Sequence, residues 1–128
     1  MKILSTLLVF AMSLCAPASA QHNIQAAALH GMWHINVAQQ GVSMASVVHL
    51  KEDQTFTSST RANGAPVLDA AGTWRVDGNK LIWRYERSSH PSITPGFVDS
   101  DEILAADQKI LRLKSSLSGK TRDWQRLH

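Results

Sequence analysis

The sequence contains a single cysteine, Cys15, and it lies in an N-terminal segment that is typical of a signal peptide. One cysteine cannot form an internal disulfide. Once that segment is removed, no thiol remains as a nucleophile or a metal ligand. Stability must therefore come from side-chain packing and strand pairing. At about 108 residues the remaining chain is long enough to bury one hydrophobic core without crosslinks.

The chain also lacks the clustered positive charge that nucleic-acid-binding surfaces use. Without Lys2, basic residues outnumber acidic residues by only two, and the charges alternate along the chain. Lys51 is followed by Glu52 and Asp53, for example. Because a nucleic-acid groove needs Lys and Arg gathered on one face, we expect no nucleic-acid partner.

Ile3 to Leu14 form the one extended apolar run, with Lys2 before it and Ala18-Ser19-Ala20 after it. This order predicts a signal peptide over residues 1–20, cleaved after Ala20. The run is shorter than the ~20 residues of a membrane-spanning helix, so we expect export to the periplasm or the medium, with no span after cleavage. A retained anchor is the alternative. A lipidated Cys15 is another, although Leu14 stands where that signal places a small residue.

The mature chain has the period-two pattern of β-strands. Residues 21–30 are polar and alanine-rich, which predicts a flexible leader or a short helical turn. From Gly31 onward apolar positions alternate, beginning with Trp33, Ile35 and Val37 on one face. A three-residue hairpin loop, 52–54, would place Leu50 and Phe56 on one face.

The segment from Gly72 to Tyr85 predicts a β-hairpin at the heart of the core. A two-residue turn that includes Gly78 brings the apolar faces of both strands together, because an even loop preserves the alternation. The residues on that shared face are Trp74, Val76, Leu81, Trp83 and Tyr85.

Two segments are predicted as loops. Arg61 to Asp69 contains Asn63-Gly64 and Pro66, and Ser88 to Pro95 contains two prolines, which cannot donate to a strand ladder. The second loop is a candidate lid.

Another hairpin is expected over 101–115, turning at Asp107-Gln108 with Leu111 and Leu113 facing inward, and a last strand over 121–127. The pattern predicts an all-β domain over residues 31–128, a small antiparallel up-and-down barrel of seven or eight short strands, with a sandwich as the alternative.

Short motifs at both ends of this domain resemble those of one family. Gly31-Met32-Trp33 matches the Gly-x-Trp that opens the first strand of lipocalins, and Trp124-Gln125-Arg126 lies where the last strand closes the barrel. The chain resembles small bacterial exported lipocalin-like domains, members of the calycin group of β-barrels. This resemblance implies that Arg126 packs on Trp33, with Arg122 as the alternative.

The resemblance implies binding rather than catalysis, because calycin barrels hold small apolar molecules in the barrel mouth. We expect an exported binding protein for a small apolar ligand, without a cofactor. The expected lining residues are Phe56, Trp74, Trp83, Tyr85 and Phe97. The alternative is an envelope-associated protein-interaction or inhibitor module, built on a barrel filled by its own side chains.

No catalytic or metal site is predicted. The sequence around Ser43 lacks the last glycine of a nucleophile elbow, which also requires a larger α/β sheet. His30 and His34 would lie about 13 Å apart on a strand, too far to share one ion. Asp99, Asp101 and Glu102 are interpreted as the solvated start of a strand rather than as an acid/base pair or cation site.

The signal-peptide prediction can be tested on protein purified from its exported compartment. Intact mass spectrometry should give a mature chain that begins at Gln21, because cleavage follows the A-x-A site. A diacylated chain beginning at Cys15 would show instead that the leader is a lipoprotein signal.

Overall fold

A computed structural model describes residues 24–128. A four-residue 3-10 helix, Ala26–Leu29, precedes eight strands. The predicted signal peptide, 1–20, and residues 21–23 lie outside the described residues. The strands are β1 Gly31–Gln39, β2 Val42–Leu50, β3 Thr55–Ala62, β4 Ala65–Asp77, β5 Lys80–Ser88, β6 Val98–Ala106, β7 Ile110–Ser115 and β8 Thr121–Leu127.

The strands form a closed, antiparallel up-and-down barrel in which each strand pairs with the next along the chain. β8 returns to pair with β1, with Trp33 opposite Arg126. The predicted all-β barrel is confirmed, with eight strands. Closure leaves no full-length strand edge exposed, which is how such barrels avoid edge-to-edge aggregation.

The two predicted tight hairpins are present in the predicted registers. Leu50 lies opposite Phe56, and the backbone N–H of Lys51 donates to the Thr55 carbonyl, which leaves a three-residue loop. In the second hairpin Asp77 pairs with Lys80 across Gly78, whose φ of 61° suits the first central position of a type II′ turn. Both loops keep the apolar residues on the inner face.

The loop predicted over Arg61 to Asp69 is wrong. β3 runs to Ala62, a two-residue turn at Asn63-Gly64 follows, and β4 begins at Ala65. Both turn residues have positive φ, 48° and 82°, as a type I′ hairpin requires. Pro66 is accommodated beside a register shift between Thr60 and Arg61, where a missing ladder donor costs little.

One end of the barrel is closed by the N-terminal segment. Leu29 of the 3-10 helix and Trp33 of β1 are fully buried, and the Trp33 indole Nε1 donates to the Leu29 carbonyl over 2.9 Å. Ile24 and Ala26 pack against the same core. Residues 24–30 are therefore part of the packed domain, and 26–29 form the helical turn that the sequence left open.

Arg126 fastens this closed end from the last strand. Its guanidinium carbon lies 4.1 Å from the centre of the Trp33 ring. Its three nitrogens donate to the backbone carbonyls of Ala28, His30 and Gln108. Arg126 rather than Arg122 is thus the arginine over the first-strand tryptophan. Its contacts join the helix, β1, β8 and the β6–β7 turn.

No helix among residues 24–128 is long and apolar enough to cross a membrane.

The contacts of Arg126 predict that lysine cannot replace it. Arg126→Lys keeps the charge but supplies one nitrogen where three carbonyls are bonded, so the free energy of unfolding should fall by about 2 kcal/mol. Urea denaturation measures this change.

The matched control is Arg122→Lys, on the same strand and face, where the expected change is within about 0.5 kcal/mol. Equal effects of the two substitutions would show that Arg126 does not hold the barrel end together.

Candidate functional site

The other half of the barrel contains a cavity of about 240 Å³. Liquid water occupies about 30 Å³ per molecule, so the cavity has the volume of roughly eight waters. Inward-facing residues of β2 to β8 line it, because alternate residues of each strand point inside. The lining consists of Ser46, Val47, Val48, Phe56, Ser58, Thr60, Leu68, Trp83, Tyr85, Asp99, Asp101, Leu111, Leu113 and Trp124.

Three aromatic rings form one wall of the cavity. Phe56 of β3 lies edge-on to Trp83 and to Tyr85 of β5, with ring centroids 5.0 Å and 5.4 Å apart. Edge-to-face packing of this kind is favourable and fixes the rings relative to one another. The wall is therefore a rigid apolar surface rather than a set of mobile side chains.

Phe56, Trp83 and Tyr85, three of the five residues predicted to line a cavity, line this one together. Trp74 is buried away from it, where its indole donates to the Lys51 carbonyl and its ring lies edge-on to His30. Of the two tryptophans in this hairpin, Trp83 thus lines the cavity and Trp74 packs in the core.

Phe97 lies in the segment between β5 and β6 and is 38% exposed. Its ring centroid is 5.9 Å from that of Tyr85, so it packs behind the aromatic wall without lining the cavity. The Tyr85 N–H donates to the Phe97 carbonyl, and the Gly96 N–H donates to the Tyr85 carbonyl. The segment is fastened to the strand that carries Tyr85.

The loop over 88–95, predicted as a lid, contributes no residue to the lining of this cavity among the described residues. Its turns are closed by short-range bonds, including the Ile93 N–H to the His90 carbonyl and the Ser92 hydroxyl with the His90 ring. Its role as a lid stays a prediction.

Two carboxylates stand beside the aromatic wall. Asp101 accepts a 2.8 Å hydrogen bond from the Trp83 indole, and Asp99 accepts bonds from the Ser100 N–H and the Ser116 hydroxyl. Both lie on the inner face of β6 because Asp99 pairs with Trp83, and Asp101 pairs with Leu81. The site thus combines an apolar wall with an acidic edge.

Burial changes the proton affinity of this edge. Partial burial of Asp101 raises its pKa to about 6, against the lowering effect of the Trp83 hydrogen bond and with a further raising effect from Asp99. Burial likewise raises the pKa of Tyr85 to about 12, and the charges of Asp99 and Asp101 add to it. The Tyr85 hydroxyl therefore stays protonated at neutral pH.

Hydroxyl groups line the side of the cavity formed by β2 and β3. The Ser46 and Thr60 hydroxyls are hydrogen-bonded to each other over 2.8 Å, and Ser58 lies one inward position away from Thr60. These groups give the cavity a second polar area.

Asp99, Asp101 and Glu102 lie at the start of β6 as predicted, but only Glu102 is exposed, whereas Asp99 and Asp101 are half-buried and line the cavity. The alternation of inward and outward residues along β6 could have indicated this placement from the sequence. Ile103 is buried, so Asp101 and Asp99, two and four positions before it, had to share its face.

The other polar residues weighed from the sequence do not meet in a site. Ser43 is exposed at the start of β2, where its backbone pairs with the Asn63 side chain. His30 packs on Trp74, and among the described residues no three His, Cys, Asp or Glu side chains are grouped as metal ligands.

A second, larger concavity lies outside the barrel. It has a volume of about 710 Å³ and crosses the outer faces of β1 to β5. Its lining includes Met32, His49, Thr57, Ser59, Asp69 and Arg87. This outer groove has a larger volume than the inner cavity, and its lining includes both an acidic residue, Asp69, and a basic residue, Arg87.

Comparison with protein-family models and with curated proteins finds no match to this chain. The structure itself is a closed, eight-stranded antiparallel up-and-down barrel.

The hydrogen bond between Trp83 and Asp101 gives a direct measurement of the cavity's titration. In NMR spectra the Trp83 indole N–H signal should shift with a midpoint near pH 6, as Asp101 loses its proton. The indole signals of Trp33 and Trp74 are internal controls, because they donate to backbone carbonyls.

The same pKa gives the sign of the effect on stability. A carboxyl whose pKa is raised on folding favours the folded state below its unfolded value of 3.8, and this contribution is lost as pH rises through 6. Asp101→Asn should therefore gain stability relative to the parent between pH 4 and 7, by about 1 kcal/mol after discounting for partial exposure. Asp77→Asn, on an exposed side chain, should gain nothing over this range.

Proposed function

We propose that this protein is an exported lipocalin-like binding protein that holds a small, largely apolar ligand in the inner cavity of its barrel. The observation that carries the proposal is a cavity of about 240 Å³ with a preformed aromatic wall inside a closed barrel. Preformed concave sites, mostly apolar with a few polar groups, are the usual form of small-molecule sites.

The cavity limits the size of the ligand. At 240 Å³ it lies below the ~300–1,000 Å³ of most drug-sized pockets, so the ligand has one ring or a short chain rather than a long acyl tail. The edge-to-face arrangement of Phe56, Trp83 and Tyr85 presents apolar surface that a flat or compact apolar group would cover.

The packing of Trp33 and Arg126 supports the assignment to a lipocalin-like domain. The Gly-x-Trp that opens β1 and the arginine on the closing strand meet in a cation–π contact of 4.1 Å at the barrel end opposite the cavity. This end is filled by side chains, which leaves ligand binding to the other end. The proposed role is binding without chemistry.

Export follows from the leader of residues 1–20, and it places the domain in the periplasm or the medium. A disulfide-free barrel suits either compartment, because closure and packing rather than crosslinks hold it together.

A second candidate function, an envelope-associated protein-interaction module, is favoured by the outer groove. That groove is larger than the cavity, and it includes the exposed Met32 beside Leu127 on the neighbouring strand. In this role the barrel would act through its outer surface, and the cavity would stay empty or hold solvent.

Two paired substitutions separate these functions, because Ser58 and Ser59 are neighbours on opposite faces of β3. Ser58→Phe fills the inner cavity, although Ser58 also borders the outer groove, whereas Ser59→Phe alters the outer groove alone. With benzyl alcohol as the probe and the Trp83 indole signal as the readout, Ser58→Phe should weaken binding at least about tenfold, roughly 1.4 kcal/mol. Ser59→Phe should leave it unchanged.

Native mass spectrometry of protein from its exported compartment complements this titration. Extra mass that is lost on denaturation, and is absent from Ser58→Phe, supports a ligand in the cavity. A bare chain that binds neither probe nor endogenous ligand, together with a partner lost only in Ser59→Phe, would overturn the proposal in favour of the interaction module.

A further inference from the structure

The charge of the inner cavity is one-sided. Asp99 and Asp101 both line it, and none of the lining residues in the described chain is a lysine, arginine or histidine. Neither carboxylate forms an ion pair with any residue of 24–128. The two ion pairs of that region, Arg75 with Asp77 and Arg112 with Asp123, lie on the exposed surface.

The basic residue on the inner face of the last strand, Arg122, does not line the cavity. Arg122 follows the inner face of β8, opposite Leu113, but it lines a separate groove with Arg112 and Asp123. Neither the pKa of Asp101 nor that of Tyr85 is affected by any basic residue. The acidic edge thus lacks a positive partner within the described protein.

The bonds around Asp101 leave room for a cation. One carboxylate oxygen, Oδ2, accepts from the Trp83 indole, and the other has no hydrogen-bond partner among the residues that the structure describes. A carboxylate oxygen accepts two hydrogen bonds or more, so Asp101 retains capacity for a strong donor. The Tyr85 hydroxyl, protonated at neutral pH, lies within the field of the same two carboxylates.

The aromatic wall favours an organic cation. Ammonium groups are attracted to the faces of tryptophan and tyrosine rings within about 6 Å, and they form charge-assisted hydrogen bonds with carboxylates. The indole edge of Trp83 contacts Asp101 and the Tyr85 ring lines the same cavity, so one ammonium group can reach a carboxylate while its apolar body covers the wall.

We propose that the ligand of this cavity is a small organic ammonium compound, with its positive group between Asp99 and Asp101 and its apolar body against Phe56, Trp83 and Tyr85. This inference rests on the proposed binding function and names the class of ligand for the same site. A positive ligand offsets the cost of holding two carboxylates in a partly desolvated space.

An inorganic cation fits the same residues less well. Calcium takes six to eight oxygen ligands and magnesium six, whereas two carboxylates and a few hydroxyls beside an aromatic wall provide fewer. A hydrated metal ion would also leave the apolar wall against water. The combination of acidic edge and aromatic wall therefore selects an amine over a metal.

Three probes of nearly equal shape test the inference: benzylammonium, benzyl alcohol and benzoate. At pH 7.5 and physiological salt, benzylammonium should bind the mature protein about tenfold or more tightly than benzyl alcohol, and benzoate should bind most weakly. The Trp83 and Trp124 indole signals report binding in the cavity.

Asp101→Asn keeps an acceptor for the Trp83 indole but removes the charge, so it should reduce the preference for benzylammonium to within about threefold. Asp77→Asn makes the same change of net charge at an exposed site outside the cavity and should keep the full preference. Salt screens such distant surface charges over about 8 Å.

The outcomes separate the inference from the function on which it rests. Equal binding of benzylammonium and benzyl alcohol, with both blocked by Ser58→Phe, would overturn the ammonium proposal and leave a neutral-ligand site. A preference that persists in Asp101→Asn and in Asp99→Asn would overturn it as well. Failure of all three probes to bind, together with a bare chain in native mass spectra and a partner lost only in Ser59→Phe, would overturn both proposals.

Discussion

The closure of this barrel depends on one side chain, Arg126, which joins the last strand to the first. Arg126 stacks over Trp33 and donates to carbonyls on both sides of the β1–β8 seam. The seam needs such a fastening because the ladder between β1 and β8 covers only Met32 to His34, whereas β1 and β2 pair along their full length. Because no disulfide links these strands, the planar guanidinium stabilises the seam through several charge-assisted hydrogen bonds and its stacking on Trp33.

The end of the barrel that Arg126 closes is packed with side chains, whereas the other end contains the cavity. At the packed end the interior is filled by Leu29, Trp33, Leu50, Trp74 and Leu81, which are buried to within a few per cent. Toward the other end the inner face changes to serine, threonine, tyrosine and aspartate, whose side chains do not fill the space between the strands. The packed half holds the strands in register, and it thereby allows the opposite half to keep a cavity. The aromatic wall is held in place because two of its residues, Phe56 and Trp83, are also part of the buried core.

Much of the fold could be predicted from alternation and loop parity, because both are local. The registers around Leu50 and Phe56, and around Trp74 and Trp83, follow from the number of residues in the connecting turn. Asn63-Gly64 was interpreted as part of a long loop because Pro66 follows it, although the structure absorbs the proline at a register shift. The cavity is harder to predict from the sequence, because its lining residues come from strands that are distant along the chain. Trp74 and Trp83 have the same pattern in sequence and are paired across the hairpin, yet only Trp83 lines the cavity.

The carboxylates of β6 are a feature that stability alone does not explain. A barrel selected for stability alone would place apolar residues at positions 99 and 101, as it does at Ile103 and at Leu111 and Leu113 on the next strand. Instead two acidic groups face inward without a positive partner in the described chain, and burial raises the pKa of Asp101 to about 6. A raised carboxyl pKa means that the charged form is disfavoured in the folded protein, so Asp101 costs stability at neutral pH. Such a cost is retained where another molecule offsets it. The proposed ammonium ligand would do so directly. In that complex the desolvation that weakens the empty barrel would strengthen the binding of the cation.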